Sequence, residues 1–515
     1  MKEKKMWHKD VSAGIVVYLV ALPLCLGIGL ASTNVEGISG LPSLFSGLIA
    51  GIVGGIVVGF ISGSRLGVSG PAAGLITIIL AAILTLGSWE SFLLAVFISG
   101  IIQIISGLLK IGIIANYVPG SVIKGMLAAI GITLILKEIP HLVGYDADFF
   151  GDDAFIQQDG HNTFSELFYS INALHPGATF IGILSLIGMV LYNKISNKLA
   201  VLKFIPGALV FVLLATLING LVFSHYDMLF IDSKHLVQIP VSNSMEDFIG
   251  YFKHPDFTAI SNPDVYVIAF TLALVGSLET LLSVEATDKL DPQKNTTPRN
   301  RELVAQGFGN AFSGLLGGLP VTQVIVRSSA NVTAGGFSKA STIIHGFLLL
   351  ISIIFLGSLI NLIPLAVLAA VLILVGYKLA SLDVFRKMYA AGLDQFIPFI
   401  ATIAGVLLTD LLKGIGIGLV VAIFYILKRN HKNNFELKSE ESGTVHIHLS
   451  EEVTFLNKSG IKEMLENIEQ DKKLVMDGSK CKNIDFDVKE VIKEFIEFKA
   501  PRKNIDVEIK NIELN

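Results

Sequence analysis

Glu279 lies in the stretch ALVGSLETLLSVEATDKLDP, among Leu and Val with no basic residue beside it. A carboxylate in such apolar surroundings is costly, so it must face a cavity, find a partner or hold a proton. Ser283 follows one helical turn later on the same face. A carboxylate and a hydroxyl at that spacing suit Na⁺, whereas a carboxylate that retains its proton suits H⁺ coupling. Glu285 and Asp288 stand nearer the helix end and read as surface charges.

Two further stretches can hold an anion. In Ser69-Gly70-Pro71-Ala72-Ala73-Gly74, a proline among small residues predicts a helix N-terminus with exposed backbone N–H groups. Such an end carries partial positive charge and binds anions without a basic side chain. Ser69 either caps that helix or gives its hydroxyl to a ligand. The second stretch, Gly317–Gly336, reads GGLPVTQVIVRSSANVTAGG. Gly317, Gly318 and Pro320 forbid a regular helix at its front, and Gly335 and Gly336 stop one at its end. Gln323–Val332 is left as a half-helix, with Gln323, Val324 and Ile325 at a second N-terminus facing the first. Arg327 adds a full positive charge, with a structural ion pair or a snorkelling arginine as the competing reading. A broken helix with a cation at membrane depth is how transporters build anion sites.

These groups need a membrane scaffold, and the composition supplies one. Hydrophobic residues make up 52% of the 515 residues and charged ones 16%, with mean hydropathy +0.67; soluble domains carry about 25% charged residues. Apolar runs occur at about 11–31, 44–62, 70–87, 90–109, 118–136, 177–192, 204–223, 264–286, 303–316, 323–335, 340–359, 362–380, 393–410 and 412–428. They predict fourteen spans, the third and tenth short and interrupted. The stretch 47–74 (glycine-rich helix, break, Gly-Pro) is repeated in order by 307–336, which predicts two inverted repeats of seven spans with the site between them. Basic residues at Lys194, Lys198, Lys203, Lys289, Lys294, Arg299, Arg301, Lys378, Arg386, Lys387, Lys428 and Arg429, and at the N-terminus, fall on one side of that topology. The loop 139–176, with Asp146, Asp148, Asp152, Asp153, Asp159 and Glu166, carries no lysine or arginine. Both termini are therefore expected in the cytoplasm, and 139–176 and 225–262 outside. Val11–Ala31 reads as a first span and not as a removable signal.

After Arg429 the chain becomes charged, and residues 434–515 show the order strand–strand–helix–strand–helix–strand of a small α/β domain. The chain thus divides at 433/434 into a transporter domain and a cytoplasmic domain. Cys25 and Cys481 suggest no disulfide framework, and a net charge of −4 gives no argument for nucleic acid. No Ser/His/Asp or metal-ligand spacing points to an enzyme, and no cofactor is called for beyond a coupling Na⁺ or H⁺.

Four ordered motifs carry a resemblance: SRLGVSGPAAG (64–74), GSLETLLSVEATDKLD (276–291), NRELVAQGFGN (300–310) and GGLPVTQVIVRSSANVTAGG (317–336). Through them the sequence resembles the sulfate permease (SulP) family of inorganic anion transporters over the whole membrane part. The resemblance implies a core and gate of seven-plus-seven inverted repeats, as in uracil transporters, usually dimeric, with a cytoplasmic STAS domain. Residues 434–515 resemble a short STAS domain whose last helix is missing. Asp477-Gly478-Ser479 matches the turn phosphorylated in related anti-sigma-factor antagonists, although a plain loop fits the shortened domain better. In cyanobacterial bicarbonate-transporting relatives the matching positions bind anion and Na⁺. By that resemblance Ser69, Glu279, Ser283 and Gln323–Ile325 are ligands here, with a Na⁺ site at Ser69, Glu279 and Ser283. The sequence departs by having Glu where those relatives have Asp, and bulkier Gln-Val-Ile in place of small residues. Proton-coupled relatives carry Glu at this position.

The resulting expectation is a symporter for bicarbonate or sulfate, driven by Na⁺ or H⁺, in a cell inner (plasma) membrane. The anion is held between the N-termini of spans 3 and 10 by Ser69, Gly70, Pro71, Ala72, Ala73, Gln323, Val324, Ile325 and Arg327. The alternatives are an anion channel or exchanger, a nucleobase transporter of the same fold, and a sensor whose output is the C-terminal domain. The expected partners are the anion, membrane lipid and a second copy of the chain.

Overall fold

Glycine, proline and capping residues divide the apolar sequence into helices. The computed structural model describes residues 4–33, 43–147, 155, 161–196, 205–239, 249–432, 435–439 and 444–513. Asp148, Asp152, Asp153, Asp159, Lys198 and Lys203 lie outside the described residues. Each apolar run carries a helix: α1 (Lys4–Thr33), α2 (Ser43–Val53, continued by a π turn to Ile61), α3 (Ile76–Leu86), α4 (Trp89–Leu108), α5 (Gly120–Leu142), α6 (Pro176–Ser196) and α7 (Gly207–Leu217) in the first half. The second half holds α8 (Pro263–Leu290), α9 (Arg299–Leu316), α10 (Ile325–Thr333), α11 (Ala340–Ile351), α12 (Leu365–Leu379), α13 (Leu393–Leu408) and α14 (Leu411–Lys432).

Their ends follow from local chemistry. Asn262 caps α8 by accepting from Asp264 N, with Pro263 at the start of the helix. Helix α9 stops at Gly317, whose φ of 91° favours glycine. Among the described residues eight helices are long and apolar enough to cross a membrane, and three shorter apolar helices accompany them. A count of fourteen crossings stays an expectation.

Two strands interrupt the helices. Strand β1 (Ser69–Pro71) pairs antiparallel with β2 (Val321–Gln323), in the register Ser69 to Gln323, Gly70 to Thr322 and Pro71 to Val321. The order α2–β1–α3 thus recurs as α9–β2–α10, and the two repeats meet at their strands. The helix starts differ from those expected. Gly70-Pro71 and Gln323 are strand residues, and helical turns begin at Ala73 and Ile325. Crossing strands satisfy each other's backbone groups, which two bare helix ends in an apolar interior cannot do.

Helices α1, α2, α4, α8, α9, α10 and α11 pack mainly on one another, and α5, α6, α12 and α13 form a second set. In the first set α4 and α9 touch backbone to backbone: a Cβ on Gly100 would stand 2.5 Å from Gly307 O, which accounts for glycine there. Beyond α5, a carboxylate joins two distant segments. Asp146 Oδ1 lies 2.6 Å from His141 Nδ1, and Asp146 Oδ2 lies 2.6 Å from His235 Nδ1. The segment after His235 is bonded to the approach to α12, with Val237 N donating to Ile363 O at 3.0 Å and Ile239 N to Asn361 Oδ1 at 2.6 Å.

The chain divides into two compact units, Met1–Leu419 and Val420–Asn515. In the second, β3 (Phe435–Ser439), β4 (Thr444–Leu449), β5 (Lys473–Asp477) and β6 (Asp506–Lys510) form one sheet in that order, parallel except for β3. Helices α15 (Lys458–Glu466) and α16 (Phe486–Glu494) bring Ile461, Leu465, Val488 and Ile492 to a core shared with Ile447, Leu474 and Met476. The sheet strands and these helices follow the expected order, and two further two-residue strands, Glu452–Val453 and Asn483–Ile484, pair with each other outside that sheet. Ser479 is exposed, and its hydroxyl donates to Asp477 Oδ1 at 2.5 Å and accepts from Asn511 Nδ2 at 2.8 Å.

Candidate functional site

The helical starts after β1 and β2 open on a cavity of about 490 Å³, within the range of small-molecule sites. Pro71, Ala73 and Gly74 line it from the first repeat, and Val324, Ile325 and Arg327 from the second. Helix α8 brings Glu279 and Ser283 to the same wall. The cavity therefore gathers both helix starts, the arginine, the acid and the hydroxyl.

Arg327 is 1% exposed and donates from Nη2 to Pro71 O at 3.5 Å, a long contact. Its Nε and Nη1 donate to no oxygen or nitrogen, no carboxylate pairs with it among the described residues, and the Cys25 thiol is the side chain that interacts with it. A buried guanidinium met only by a thiol and one long carbonyl contact is strongly destabilising alone, so the place fits an oxyanion. Its seat depends on glycine: a Cβ on Gly70 would stand 2.0 Å from Nη1.

Glu279 is 5% exposed. A Cβ on Gly74 would lie 3.4 Å from both its carboxylate oxygens, which places the carboxylate against the turn that leads into α3. Ser283, one turn on, is buried at 4% exposure. Glu285 pairs instead with Arg299 and with Lys289 at 3.4 Å, and Asp288 accepts from Thr297, as charges near the helix end should.

Four of the expected ligands lie elsewhere. Ser69, Gly70, Ala72 and Gln323 are buried and do not line the cavity. The Ser69 hydroxyl accepts from Gln306 Nε2 at 2.7 Å, and the same amide donates to Glu302 Oε1 at 2.9 Å. Ser62 Oγ donates to Glu302 Oε2 at 2.5 Å. Gly70 makes room for Arg327, and Ala72 is the extended residue before the first turn. Pairing of the two strands sets these residues back from the cavity, which a helical reading of them could not foresee.

Glu302, Gln306 and Asn310 are the polar residues that residue-by-residue reading passed over. They recur every fourth residue on α9 and are all buried; that spacing was a visible signal. Thr133 on α5, with Asp410 between α13 and α14 and Lys413 in the first turn of α14, also lines the cavity, and no spacing in the sequence connects them to it. Asp410 and Lys413 pair at 2.8 Å.

Comparison with known proteins adds to this geometry. Residues 7–403 match the sulfate permease family. YvdB of Bacillus subtilis, named as a candidate sulfate transporter, is 27% identical over 82% of this chain and 74% of its own length. The bicarbonate transporter BicA of Picosynechococcus sp. is 26% identical over 85% of this chain and 72% of its own. The solved structure of SLC26A9 superposes with a TM-score of 0.68 at 15% identity, covering 100% of this chain and 86% of that one.

Proposed function

The chain belongs to the sulfate permease family, and on that premise we propose that it is a secondary active transporter of a small oxyanion, sulfate or bicarbonate. Family members are membrane transporters and not enzymes. The observation that carries the reading is Arg327, buried at the cavity with no carboxylate paired to it among the described residues and no oxygen or nitrogen accepting from Nε or Nη1. An oxyanion fits between the helical starts at Ala73 and Ile325, where backbone N–H groups and the guanidinium converge on one charge. Helix ends read charge more than identity, so the same cavity suits either anion.

Glu279 and Ser283 supply the cation side of the cycle in this reading. With Na⁺, the carboxylate and the hydroxyl are ligands; with H⁺, the carboxylate carries the proton. Ser69, set back from the cavity behind Gln306, supports the strand instead. Alternating access follows from movement of the α1–α2–α4–α8–α9–α10–α11 set against the α5–α6–α12–α13 set, with the site between them. Bound cation offsets the charge of Glu279 beside the incoming anion, so the two are favourable together and each alone is not.

The C-terminal unit is read as a short STAS domain on the cytoplasmic face of a plasma membrane, in a homodimer, with Ser479 as part of an ordinary turn. The test is uptake of labelled sulfate and labelled bicarbonate into proteoliposomes under an imposed Na⁺ or pH gradient. Accumulation above equilibrium with one gradient supports symport and names the ion. Flux that only runs downhill, or uptake competed by uracil, overturns it in favour of a channel or a nucleobase transporter.

A further inference from the structure

Gln323 touches both halves of the proposed site without entering it. It is fully buried in β2, in register with Ser69 on β1. Its backbone N–H donates to Thr280 Oγ1 at 3.2 Å, and its side-chain Nε2 donates to Thr287 Oγ1 at 3.3 Å. Thr280 and Thr287 stand two turns apart on one face of α8; Thr280 adjoins Glu279, and Ser283 lies between the two threonines. Neither threonine lines the anion cavity.

The direction of these bonds is fixed. The Thr287 hydroxyl gives its proton to Ser283 O at 2.7 Å, so it meets the Gln323 amide with a lone pair. A chain of two hydrogen bonds therefore runs from Gln323 through Thr287 to the backbone of Ser283, and bonds in such a chain reinforce each other. On its other side the amide packs against the residues just before β1: a Cβ on Gly67 would stand 2.5 Å from Gln323 Oε1, so glycine at 67 leaves the side chain its place.

We infer that Gln323 is a positioning residue and not an anion ligand. It holds α8 against β2, so that Glu279 and Ser283 keep a fixed spacing from the start of α10 and from Arg327 while the transporter changes state. The inference rests on reading Glu279 as the coupling acid and the start of α10 as the anion seat. It reassigns an amide that sequence reasoning placed on the ligand, and it gives Thr280 and Thr287 a role in transport.

The test uses the full chain in proteoliposomes, with labelled sulfate or bicarbonate, whichever the wild type accumulates, in counterflow and under the driving gradient. Gln323→Met and Thr287→Val each raise the counterflow KM about fivefold, the effect of one buried hydrogen bond. The double variant is no worse than Gln323→Met alone within about twofold, because both changes break one link. Thr287→Ser, which keeps the hydroxyl, retains wild-type KM. Thr280→Val tests the backbone link separately should Thr287→Val fail to fold, and is expected to raise KM as well. A wild-type KM in both threonine variants beside an impaired Gln323→Met makes Gln323 a ligand and overturns the inference; so does an additive double variant. Counterflow needs no gradient, so the two readings fail apart: intact gradient-driven uptake by Glu279→Gln sinks the coupling role and leaves the KM comparison standing.

Discussion

Asn310 binds Val321 as a neighbouring strand would: Val321 N donates to Asn310 Oδ1 at 2.6 Å, and Asn310 Nδ2 donates to Val321 O at 2.9 Å. Strand β2 is only three residues long, with β1 on one edge, and this side chain serves the other. Nδ2 also donates to Gln103 Oε1 at 2.7 Å, and Gln103 Nε2 donates to Ser277 Oγ on α8 at 3.3 Å. The helix carrying the acid and the strand that leads into the arginine's helix are thus joined through two buried amides.

The first prediction concerns that joint. Asn310→Leu leaves the backbone N–H and C=O of Val321 without this partner, at a cost of about 1–3 kcal/mol for each unsatisfied group. Thermal unfolding of the detergent-purified protein should shift down by several degrees and uptake should fall sharply. Unchanged melting would show that the strand holds its place without Asn310.

The guanidinium gives a second. Gly70→Ala places a methyl 2.0 Å from Arg327 Nη1, so the side chain must leave its seat. Anion affinity should drop, by no more than in Arg327→Met, and the double variant should be no worse than Arg327→Met alone. Wild-type affinity in Gly70→Ala would mean that Arg327 does not need this position.

The clamp at Asp146 makes the third, a dependence on pH. The Asp146 hydrogen bond raises the pKa of His235 above the ordinary range, against burial. Burial alone would raise the Asp146 pKa, but the bonds from His141 and His235 hold it below the usual range. Glu138 and Glu166 face His141, while Asp232, Lys234 and His175 face His235. The histidine contribution is fully present below an unfolded pKa of about 6.5 and is lost as pH rises through the raised folded value. The Asp146 contribution is present above an unfolded pKa of about 3.9 and is lost as pH falls through the depressed value. The clamp is therefore strongest from about pH 4 to 6.5. Amide exchange at Val237 and Ile239, corrected for intrinsic rate, should quicken between pH 5.5 and 8.5, and Asp146→Asn should flatten that change. A flat profile in the wild type would detach the clamp from this segment.

Much of this arrangement was legible in the sequence, for particular physical reasons. Glu279 and Arg327 stand out because charge in apolar sequence needs an explanation, and both line the cavity. Gly317 and the Gly-Pro pair show that the chain must break, since neither fits a helix interior. What the chain does after the break is decided by pairing between residues about 250 positions apart, 69–71 with 321–323, and no local propensity encodes such a partner. That is why Ser69 and Gln323, read as helix-end ligands, lie behind the cavity wall. Thr133 and Asp410 escaped notice because only tertiary packing brings α5 and the α13–α14 junction to the site.

Ser69 offers the last prediction, since its position separates a ligand from a strand anchor. Its hydroxyl accepts from Gln306 Nε2, which also serves Glu302, and it does not face the cavity. Removing it costs β1 one buried hydrogen bond, about 1 kcal/mol or a factor of about five in affinity. Gln306→Leu removes the donor and also strips a hydrogen bond from the fully buried Glu302, so it should lower stability by about 3 kcal/mol or more. Uptake should therefore fall modestly in Ser69→Ala and collapse in Gln306→Leu, and Ser69→Ala should leave the apparent affinity for the coupling cation within about twofold of wild type. A loss of cation dependence in Ser69→Ala that exceeds the change in anion affinity would return Ser69 to the cation site and count against the anchor role.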